Sequence, residues 1–509
     1  MLSDHPNQPL VEYILDGLTH GFDIGFKGKF SETRPNNNKS AAEYSAAVSK
    51  AIQKEVDRGH TAGPFDEPPF ESLHCSPIGA IPKKDGTVRL VMDLSQPRGK
   101  SINEGIEKED FNIQYSKFDD ATSMIRTAGR DCLLSKLDIK HAYRLLPVRS
   151  DQWHMLAYRW NGKYYVDMVL PFGMRSSGGI FNHFADLVCW IINNKYGVKN
   201  LIHYSDDFFL VSTQNVEQAR RELATVIRAF KEMGIPLAED KVEGPAIKII
   251  YLGILANSHD MTIEITPERY QETISYLPRW LSRRTCTKKD LLSLIGRLSF
   301  MAKVVRPGRT FLRRLIDLST TVKMPHHYIT LNKEAKLDIQ WWIDFLPTWQ
   351  ASSMIPDNSQ VLASDIKLYS DASNIGFGAI YGKSWIQGTW DTSRSNLHIN
   401  YKELFAIYAA AVTWGHQWKG KRIIFANDSN SITQIWTKGT SPSPLIMSLI
   451  RPLFLFAAQQ GFSVAFKHIK GITNPIADAL SRFQMQRFFD LHPQADPTPT
   501  ETPQQVWAH

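Results

Sequence analysis

Two adjacent aspartates stand between two short apolar segments at residues 201–211, which read LIHYSDDFFLV. The flanking segments are rich in residues that favour strands, so the pattern predicts a β-hairpin with Asp206 and Asp207 at its turn. Hairpin turns usually carry Asn-Gly or Asp-Gly rather than two like charges. The pair is therefore either a solvated turn or the binding site of a ligand with at least two positive charges.

The length and composition define the class of protein. A chain of 509 residues is too long for one hydrophobic core, so two to four domains are expected. Its 43% hydrophobic and 22% charged residues are ordinary for a soluble globular protein. The excess of 59 Lys and Arg over 51 Asp and Glu permits a polyanionic partner without proving one.

Cysteine spacing and apolar runs argue against several other classes. Cys75, Cys132, Cys189 and Cys286 are too scattered for a disulfide framework or a zinc site, which favours a reducing compartment, the cytoplasm or the nucleus. The N-terminus lacks the basic and apolar regions of a secretory signal. The most apolar stretch, LIMSLIRPLFLFAA, contains an arginine and a proline, and this pattern predicts a buried helix rather than a membrane span.

A strongly basic stretch lies between Arg279 and Arg314. It contains eleven Lys and Arg against a single acid, Asp290. Apolar residues recur within it at helical spacing, at Leu291, Leu294, Ile295, Leu298 and Met301. A basic helical module is typical of proteins that contact a sugar-phosphate backbone, and a solvated face without a ligand is the alternative.

A third acid is expected beside the Asp206–Asp207 pair. Asp138 ends the apolar segment CLLSKLD, and it is the only acid between Asp131 and Asp151. If strand 133–138 pairs with the hairpin, the three carboxylates form an oxygen-rich nest suited to two Mg²⁺ ions. Two such ions can activate an attacking hydroxyl and stabilise a leaving pyrophosphate. Tyr204, Phe208 and Phe209 are expected to hold the turn in place.

Five segments resemble the reverse transcriptases of retroelements, in the order that family shows. They are IPKKDGTVRLVMDL, LDIKHAY, LPFGM, YSDD and IIYLG, and they span about residues 60–260. The resemblance implies that Asp138 and Asp206 are metal ligands and that Asp207 is the third acid of the motif.

The resemblance also implies a nucleotide site. Tyr143 matches the aromatic residue that excludes a ribose 2′-hydroxyl, and Lys83 and Arg89 match residues that grip the incoming triphosphate, with Lys84 as the alternative to Lys83. Phe172 and Gly173, with Pro171, match a loop beside template and nucleotide. Lys241 matches a lysine that protonates pyrophosphate, with a solvated lysine as the alternative.

The resemblance also implies contacts with primer and template. Tyr251, Leu252 and Gly253 match the hairpin that holds the primer end. The predicted primer and template contacts of the basic stretch are Arg283, Arg284, Arg297, Arg309 and Arg313.

A second set of acids follows in a segment that restarts as strands from Ile366. Asp371 and Asp428 each follow a predicted strand. Glu403 lies on a predicted helix, and Asp478 lies on the last predicted helix. Each alone would be a cap or a surface acid, but together they resemble the four carboxylates of ribonuclease H, which hold two Mg²⁺ ions and cleave RNA. His468 matches a histidine that helps to release product, with a structural histidine as the alternative, and Ser373 is a candidate contact to the nucleic-acid backbone.

The expected fold is a multidomain α/β protein, a right-hand polymerase of fingers, palm and thumb followed by a ribonuclease H-like α/β domain. We expect an N-terminal extension at 1–40, fingers and palm at 41–260, a basic thumb and short connection at 261–350, a linker at 351–364, the ribonuclease H domain at 365–485 and an extended or disordered Pro-rich tail at 486–509.

The expected function is RNA- and DNA-templated DNA synthesis with cleavage of RNA in hybrids. The expected cofactors are two Mg²⁺ ions per site, with Mn²⁺ as a substitute. The expected partners are RNA template, DNA primer, RNA–DNA hybrid and dNTP, without a membrane. DLSQPRGKSIN and VVRPGRTFLRRLIDL resemble DIRS-like elements, whose tyrosine recombinase is a further expected partner. The alternatives are a domesticated, non-catalytic nucleic-acid-binding protein and an RNA-only polymerase, which would need a small residue in place of Tyr143.

Overall fold

The computed structural model describes residues 2–83, 86–113, 115–349, 352–355, 368–419, 421–460 and 462–508. It divides into two compact units, Met1–Thr262 and Ile263–His509. Lys84 and most of the expected linker at 351–364 lie outside the described residues. Within the described ranges no helix combines the length and the hydropathy needed to cross a bilayer.

The first unit mixes helices with short strands. Its helices are α1 (Gln8–His20), α2 (Lys39–Glu43), α3 (Ser45–Asp57), α4 (Phe118–Ala128), α5 (Ser177–Lys195) and α6 (Val216–Glu232). Its strands are β1 (Thr61–Phe65), β2 (Ile78–Pro82), β3 (Val88–Met92), β4 (Leu133–Asp138), β5 (Ala157–Trp160), β6 (Lys163–Asp167), β7 (Leu201–Tyr204), β8 (Asp207–Ser212), β9 (Glu243–Ala246), β10 (Lys248–Tyr251) and β11 (Ile254–Asn257).

A four-stranded sheet with the order β7-β8-β4-β9 carries the acids of this unit. Strands β7 and β8 form the predicted hairpin, and β4 pairs antiparallel with β8. Phe208 and Phe209 are fully buried on opposite faces of β8, and burial of each side chain contributes about 2–3 kcal/mol to stability. They anchor the turn as expected, whereas Tyr204 is half-exposed and stacks on Tyr115.

Residues with positive φ shape two segments of this unit. The segment after Asp138 forms a short 3₁₀ turn at Ala142–Leu145. His141 and Ala142 have φ values of 73° and 42°, which an α-helix cannot accommodate. Strands β10 and β11 form a hairpin, and its turn residues Leu252 and Gly253 also have positive φ.

The predicted N-terminal extension is not a separate part of the protein. Helix α1 packs through Val11 and Ile14 into the main core of the first unit, and Phe22 and Ile24 join the same core. Asn7 caps the helix by accepting a hydrogen bond from the amide of Leu10. Residues 1–40 therefore belong to the first unit.

The second unit begins inside β12 (Thr262–Ile265). Its helices are α7 (Pro267–Tyr276), α8 (Pro278–Ser282), α9 (Lys288–Met301), α10 (Arg313–Ser319), α11 (Lys333–Thr348), α12 (Ile399–Trp414), α13 (Asn430–Lys438), α14 (Pro444–Gln460), α15 (Pro475–Ser481) and α16 (Met485–Leu491). Its further strands are β13 (Thr285–Thr287), β14 (Tyr328–Thr330), β15 (Ser352–Met354), β16 (Leu368–Ala372), β17 (Gly376–Tyr381), β18 (Ser384–Thr389), β19 (Arg422–Asn427) and β20 (Ser463–His468).

A five-stranded sheet with the order β18-β17-β16-β19-β20 forms the centre of this unit. Strands β16, β17 and β18 are antiparallel, whereas β16, β19 and β20 run parallel. Helix α12 is almost entirely buried against the sheet, and the apolar run predicted to be a buried helix is α14. The parallel strands place the residues that follow β16 and β19 at one edge of the sheet.

The C-terminal segment is extended, but it is packed rather than free. The amides of Asp496 and Thr500 donate hydrogen bonds to the carbonyls of Lys383 and Trp385 along β18. Val506 is fully buried in the core of the second unit, and Trp507 packs beside it. Of the two expected states of the Pro-rich tail, extended or disordered, the segment is thus extended, and its few apolar residues complete the core.

Candidate active sites

The hairpin of β7 and β8 brings three carboxylates to one edge of the first unit's sheet. Asp138, the last residue of β4, pairs in register with Asp207, the first residue of β8. Asp206 stands in the turn, and its carbonyl accepts a hydrogen bond of 3.0 Å from the amide of Ile139. Ser205 takes a left-handed conformation with φ of 55°, which reverses the chain just before the acids. The predicted convergence of these acids is thus present.

Like charges and burial keep these acids from ionising easily. Burial, with the negative charge of Asp138, raises the pKa of Asp206. Burial and the charges of Asp206 and Asp138 raise the pKa of Asp207 to about 6. Lys241 offsets part of this repulsion, since its ammonium donates to both oxygens of Asp138 at 2.9 Å. Burial disfavours that ammonium, yet the hydrogen bond and the three acids raise the pKa of Lys241 overall.

A cavity of about 980 Å³ opens beside the acids. It is lined by residues that the sequence assigned to metal and nucleotide, namely Lys83, Arg89, Asp138, Tyr143, Pro171, Phe172, Asp206 and Lys241. The two cations of β2–β3 and the two acids therefore face one space, as binding of a metal-bound triphosphate requires. Asp207 is not among the described residues that line this cavity, although it pairs in register with Asp138.

An aromatic wall forms one side of this cavity. The ring of Tyr143 lies 5.4 Å from that of Phe172 and 5.3 Å from that of Phe181, between centroids. The guanidinium of Arg89 sits 5.7 Å from the centre of the Phe172 ring. Gly173 has φ of 105°, and a Cβ atom there would lie 2.4 Å from the carbonyl oxygen of Met92. Only glycine fits at this position, which fixes the path of the loop.

Sequence reasoning missed the residue that holds this loop. The buried amide of Asn103 donates to the carbonyl of Gly173 at 2.9 Å, and its oxygen accepts from the amide of Arg175 at 2.7 Å. It also donates to Ser95 Oγ at 2.9 Å. The segment KSIN that contains Asn103 indicated only a resemblance to DIRS-like elements, and the contact of Asn103 with Gly173 joins residues too distant in sequence to infer.

The predicted primer hairpin is present, but its residues divide into two kinds. The Tyr251 side chain lies in the core and stacks on Phe209 with 4.5 Å between ring centroids. It therefore cannot reach a primer, and this part of the prediction is corrected. Leu252 and Gly253 form the turn itself, where backbone and a half-buried side chain reach the surface.

The basic module is helical, as predicted, with Leu291, Leu294, Leu298 and Met301 buried along α9. The arginines predicted to contact primer and template differ in their exposure and in their ion pairs. Arg284 and Arg309 are exposed, whereas Arg313 pairs with Asp317 at 2.7 Å. Arg297 lies 3.6 Å from Glu272, and the half-buried Arg283 lies over the ring of Trp280. Stacked arginines of this kind can also stack on bases.

The second set of acids converges at the carboxyl edge of the five-stranded sheet. Asp371 lies on β16, Glu403 on α12, Asp428 after β19 and Asp478 on α15. All four line one cavity of about 630 Å³, together with Asn474, Arg482 and Arg487. The predicted grouping is thus present, because parallel strands end at the same edge and both helices pack against it.

Electrostatics in this cavity resemble those in the first. Burial and the charges of Asp428 and Asp478 raise the pKa of Asp371 to about 6, although Ser481 Oγ donates to it at 2.5 Å. Burial and the nearby acids raise the pKa of Glu403 to about 7. Glu403 Oε2 and Asp428 Oδ1 are buried without a hydrogen-bond partner among the described residues. Burying such oxygens without a partner costs free energy, and a bound cation would remove this cost.

Asp478 and its neighbours are arranged differently. Arg482 Nε and Arg487 Nη1 donate to the two oxygens of Asp478 at 2.6 and 2.9 Å, and despite burial these contacts lower its pKa. His468 Nε2 lies 3.0 Å from the carbonyl oxygen of Asp428. Ser373 is buried at the lining of the same cavity and donates to the carbonyl of Ser481 at 2.7 Å, so its hydroxyl also supports the fold.

Both donor sets suit hard divalent cations, which prefer carboxylate oxygens. Among the described residues, no three Asp, Glu, His or Cys side chains stand close enough to hold a metal ion as they are. The unpartnered oxygens of Glu403 and Asp428, and the mutual repulsion among Asp138, Asp206 and Asp207, nevertheless fit a bound cation. Such a cation would relieve the repulsion and the missing hydrogen bonds together.

Comparison with known protein families identifies the first unit. Residues 81–256 match the family model "Reverse transcriptase (RNA-dependent DNA polymerase)". This segment is a reverse transcriptase domain. It contains both the β2–β3 hairpin and the three acids.

Curated relatives extend the similarity beyond this domain. The Transposon Tf2-3 and Tf2-4 polyproteins of Schizosaccharomyces pombe are each 23% identical over 455 residues, which cover 85% of this chain and 30% of the relative. The chain therefore spans about a third of the length of these relatives.

Solved structures agree with this fold. The foamy viral protease-reverse transcriptase in complex with dsDNA has a TM-score of 0.53 and 17% identity, over 88% of this chain and 87% of that one. The same protein in complex with an RNA/DNA hybrid gives a TM-score of 0.52 and 18% identity, over 88% and 56%. The predicted fold class is confirmed as a mixed α/β protein, with a polymerase fold of the reverse-transcriptase type followed by a further α/β domain.

Proposed function

We propose that this protein is the reverse transcriptase and ribonuclease H of a retrotransposon. It extends a DNA primer on RNA and DNA templates and cleaves the RNA strand of RNA–DNA hybrids. The observation that carries the proposal is the shared cavity of Asp138, Asp206, Tyr143, Lys83 and Arg89 inside a reverse transcriptase domain.

Each group has a distinct part in polymerisation. Two Mg²⁺ ions held by Asp138 and Asp206, with Asp207 beside them, would lower the pKa of the primer hydroxyl and neutralise the leaving pyrophosphate. Lys83 and Arg89 grip the triphosphate, and the Arg89 guanidinium suits bidentate phosphate binding. The ring of Tyr143, which lines the same cavity, would leave no space for a ribose 2′-hydroxyl. Lys241, already protonated beside Asp138, can donate a proton to pyrophosphate.

Ribonuclease H activity is proposed for the second unit. Asp371, Glu403, Asp428 and Asp478 line one cavity, and two of them carry buried unpartnered oxygens. A pair of Mg²⁺ ions bound there would activate water for cleavage of an RNA phosphodiester. His468, beside the Asp428 backbone, is placed to assist product release. The basic module, with Arg284 and Arg309 exposed, supplies phosphate contacts for the duplex.

The origin in a mobile element is supported by similarity to the Tf2 polyproteins. The finer assignment to DIRS-like elements rests on the segments DLSQPRGKSIN and VVRPGRTFLRRLIDL, and with it the expectation of a tyrosine recombinase as a partner. The solved relatives in complex with dsDNA and with RNA/DNA hybrid support the same nucleic-acid partners for this chain.

Primer extension tests the proposal. Wild-type protein with an RNA template, a DNA primer, dNTP and Mg²⁺ should give full-length product, and Asp206→Asn should abolish it. A parallel assay on an RNA–DNA hybrid should show cleavage that Asp371→Asn abolishes while extension continues. Loss of both activities in one variant would contradict two separable sites.

The same experiment decides against the alternative. A domesticated, non-catalytic protein would bind primer and template without extending or cleaving them, and Asp206→Asn would then change nothing. Asp290→Asn is a matched control, because it replaces an exposed acid of the basic module that lines neither cavity.

A further inference from the structure

A buried ionic network lies beside the tyrosine of the nucleotide cavity, and its members Glu55, Arg144 and Asp167 are among the residues that line the cavity. Arg144 Nη1 and Nη2 donate to the two oxygens of Asp167 at 2.6 and 3.1 Å, and Nε donates to Glu55 at 3.0 Å. Thr61 Oγ1 donates to Asp167 at 2.6 Å and lies 3.3 Å from Arg144. The network joins α3, β1, β6 and the 3₁₀ turn, all within the first unit.

The charges of the network are balanced. Arg144 and Asp167 are buried, and Glu55 is also contacted by Arg58 at 2.8 Å and His60 at 3.0 Å. Buried ion pairs are seldom more stabilising than apolar residues of the same volume. What a bidentate arginine adds is a fixed orientation, because its planar fork meets both oxygens of one carboxylate.

The backbone that this arginine holds is unusual. His141 and Ala142, just before Tyr143, have φ values of 73° and 42°, which residues with a Cβ atom adopt only when the surroundings impose them. The turn closes with a hydrogen bond of 3.0 Å from the amide of Arg144 to the carbonyl of His141. Arg144, the second residue beyond the strained pair, thus joins this turn to other elements through its side-chain hydrogen bonds.

The two adjacent side chains of this turn both line the cavity but make different contacts. Arg144 is directed into the network, whereas Tyr143 packs on Phe172 and Phe181 at the cavity. A shift of the turn would therefore move the phenol ring relative to Asp138 and Asp206. Displacements of about 1 Å at such a site can change rates about a hundredfold.

We propose that Arg144, held by Asp167, Glu55 and Thr61, is a positioning residue that places the Tyr143 ring and thereby sets how strictly the cavity rejects a ribonucleotide. This inference rests on the proposed polymerase function and extends it to a residue that acts through the position of the Tyr143 ring. Two residues then determine sugar selectivity. Tyr143 contacts the sugar, and Arg144 orients the Tyr143 ring.

The test compares incorporation of dNTP and rNTP by primer extension with the full chain. Arg144→Lys keeps the charge but loses the fork, and it should raise the ratio of rNTP to dNTP efficiency about tenfold, mainly through a lower KM for rNTP. Thr61→Val, a milder change, should act in the same direction. Tyr143→Ala with Arg144→Lys should be no less selective than Tyr143→Ala alone, since both act through one ring.

Arg394→Lys is the matched control, because the buried Arg394 donates to the carbonyl of Trp507 at 3.0 Å in the second unit and lies outside the basic module. It should change thermal stability without changing the ratio. An unchanged ratio in folded Arg144→Lys and Thr61→Val would overturn the inference while leaving the polymerase function intact. A wild-type protein that extends no primer would overturn the proposed function itself, and the inference with it.

Discussion

Lys241 donates to both carboxylate oxygens of Asp138 at 2.9 Å, so a protein cation already lies against the acid expected to hold metal. Its charge also favours ionisation of Asp206 and Asp207. The lysine and a metal ion would share the same carboxylates. We therefore expect Lys241 to adjust the proton affinity of the site as well as to serve pyrophosphate.

A pH profile can separate these effects. The raised pKa of Asp207, about 6, means that primer extension should fall as the pH drops through about 6, since a protonated acid cannot bind Mg²⁺. Lys241→Gln removes the charge that lowers the acids' pKa values, so the acid limb should move to higher pH. Single-turnover rates from about pH 5 to about pH 9 measure this shift. Lys195→Gln, which removes the surface partner of Asp4, should leave the profile unchanged.

Replacement of Asn103 should weaken nucleotide binding from a distance. Asn103→Ala removes the hydrogen bonds to Gly173, Arg175 and Ser95, so the Phe172 loop should loosen. We expect KM for dNTP to rise several-fold and stability to fall by about 1–3 kcal/mol, because buried backbone groups lose partners. Asn193→Ala is the matched control, since that amide bridges both backbone groups of Leu201 away from the cavity. Equal KM changes in the two variants would contradict a local role.

The contrast between these residues explains what the sequence could provide. Asp138, Asp206 and Asp207 were predictable together because Asp138 ends an apolar strand, while Asp206 and Asp207 stand where one apolar strand turns into the next. Strand pairing brings such positions to one edge of a sheet. Asn103 contacts a residue 70 positions away, and Asp167 is 106 positions from Thr61. The periodicity and spacing of residues in the sequence cannot predict such contacts, since the contacts depend on how separate elements pack.

The raised pKa of Glu403, about 7, predicts a stability effect with a definite sign. The folded state binds this proton more tightly than the unfolded chain, so stability is lost as the pH rises through about 7. Glu403→Gln should therefore unfold at a higher temperature than wild type at pH 8 in EDTA. After solvent screening we expect on the order of 1–2 kcal/mol, or about 2–8 °C.

Low pH and Mg²⁺ should each remove the higher thermal stability of Glu403→Gln. At pH 4 the wild-type carboxyl is protonated, so the two melting temperatures should converge. Mg²⁺ at pH 8 should stabilise wild type more than Glu403→Gln, because the variant lacks a ligand charge. Calorimetry of the full chain provides both comparisons. A variant that is less stable than wild type at pH 8 in EDTA would contradict the repulsion among these acids.

The C-terminal segment provides the last prediction, because its composition was typical of a free tail while its end is part of the core. The ring of Trp507 lies 5.3 Å from that of Phe405 and 5.9 Å from that of Phe377, and Arg394 donates to its carbonyl at 3.0 Å. Trp507→Ala should cost roughly 2–3 kcal/mol, below the range for a fully buried tryptophan because the ring is half-buried. The melting temperature of the second unit should fall by about 5–10 °C. Gln504→Ala, an exposed change in the same turn, should have no effect, and an equally small effect of Trp507→Ala would show that the segment contributes nothing to the fold.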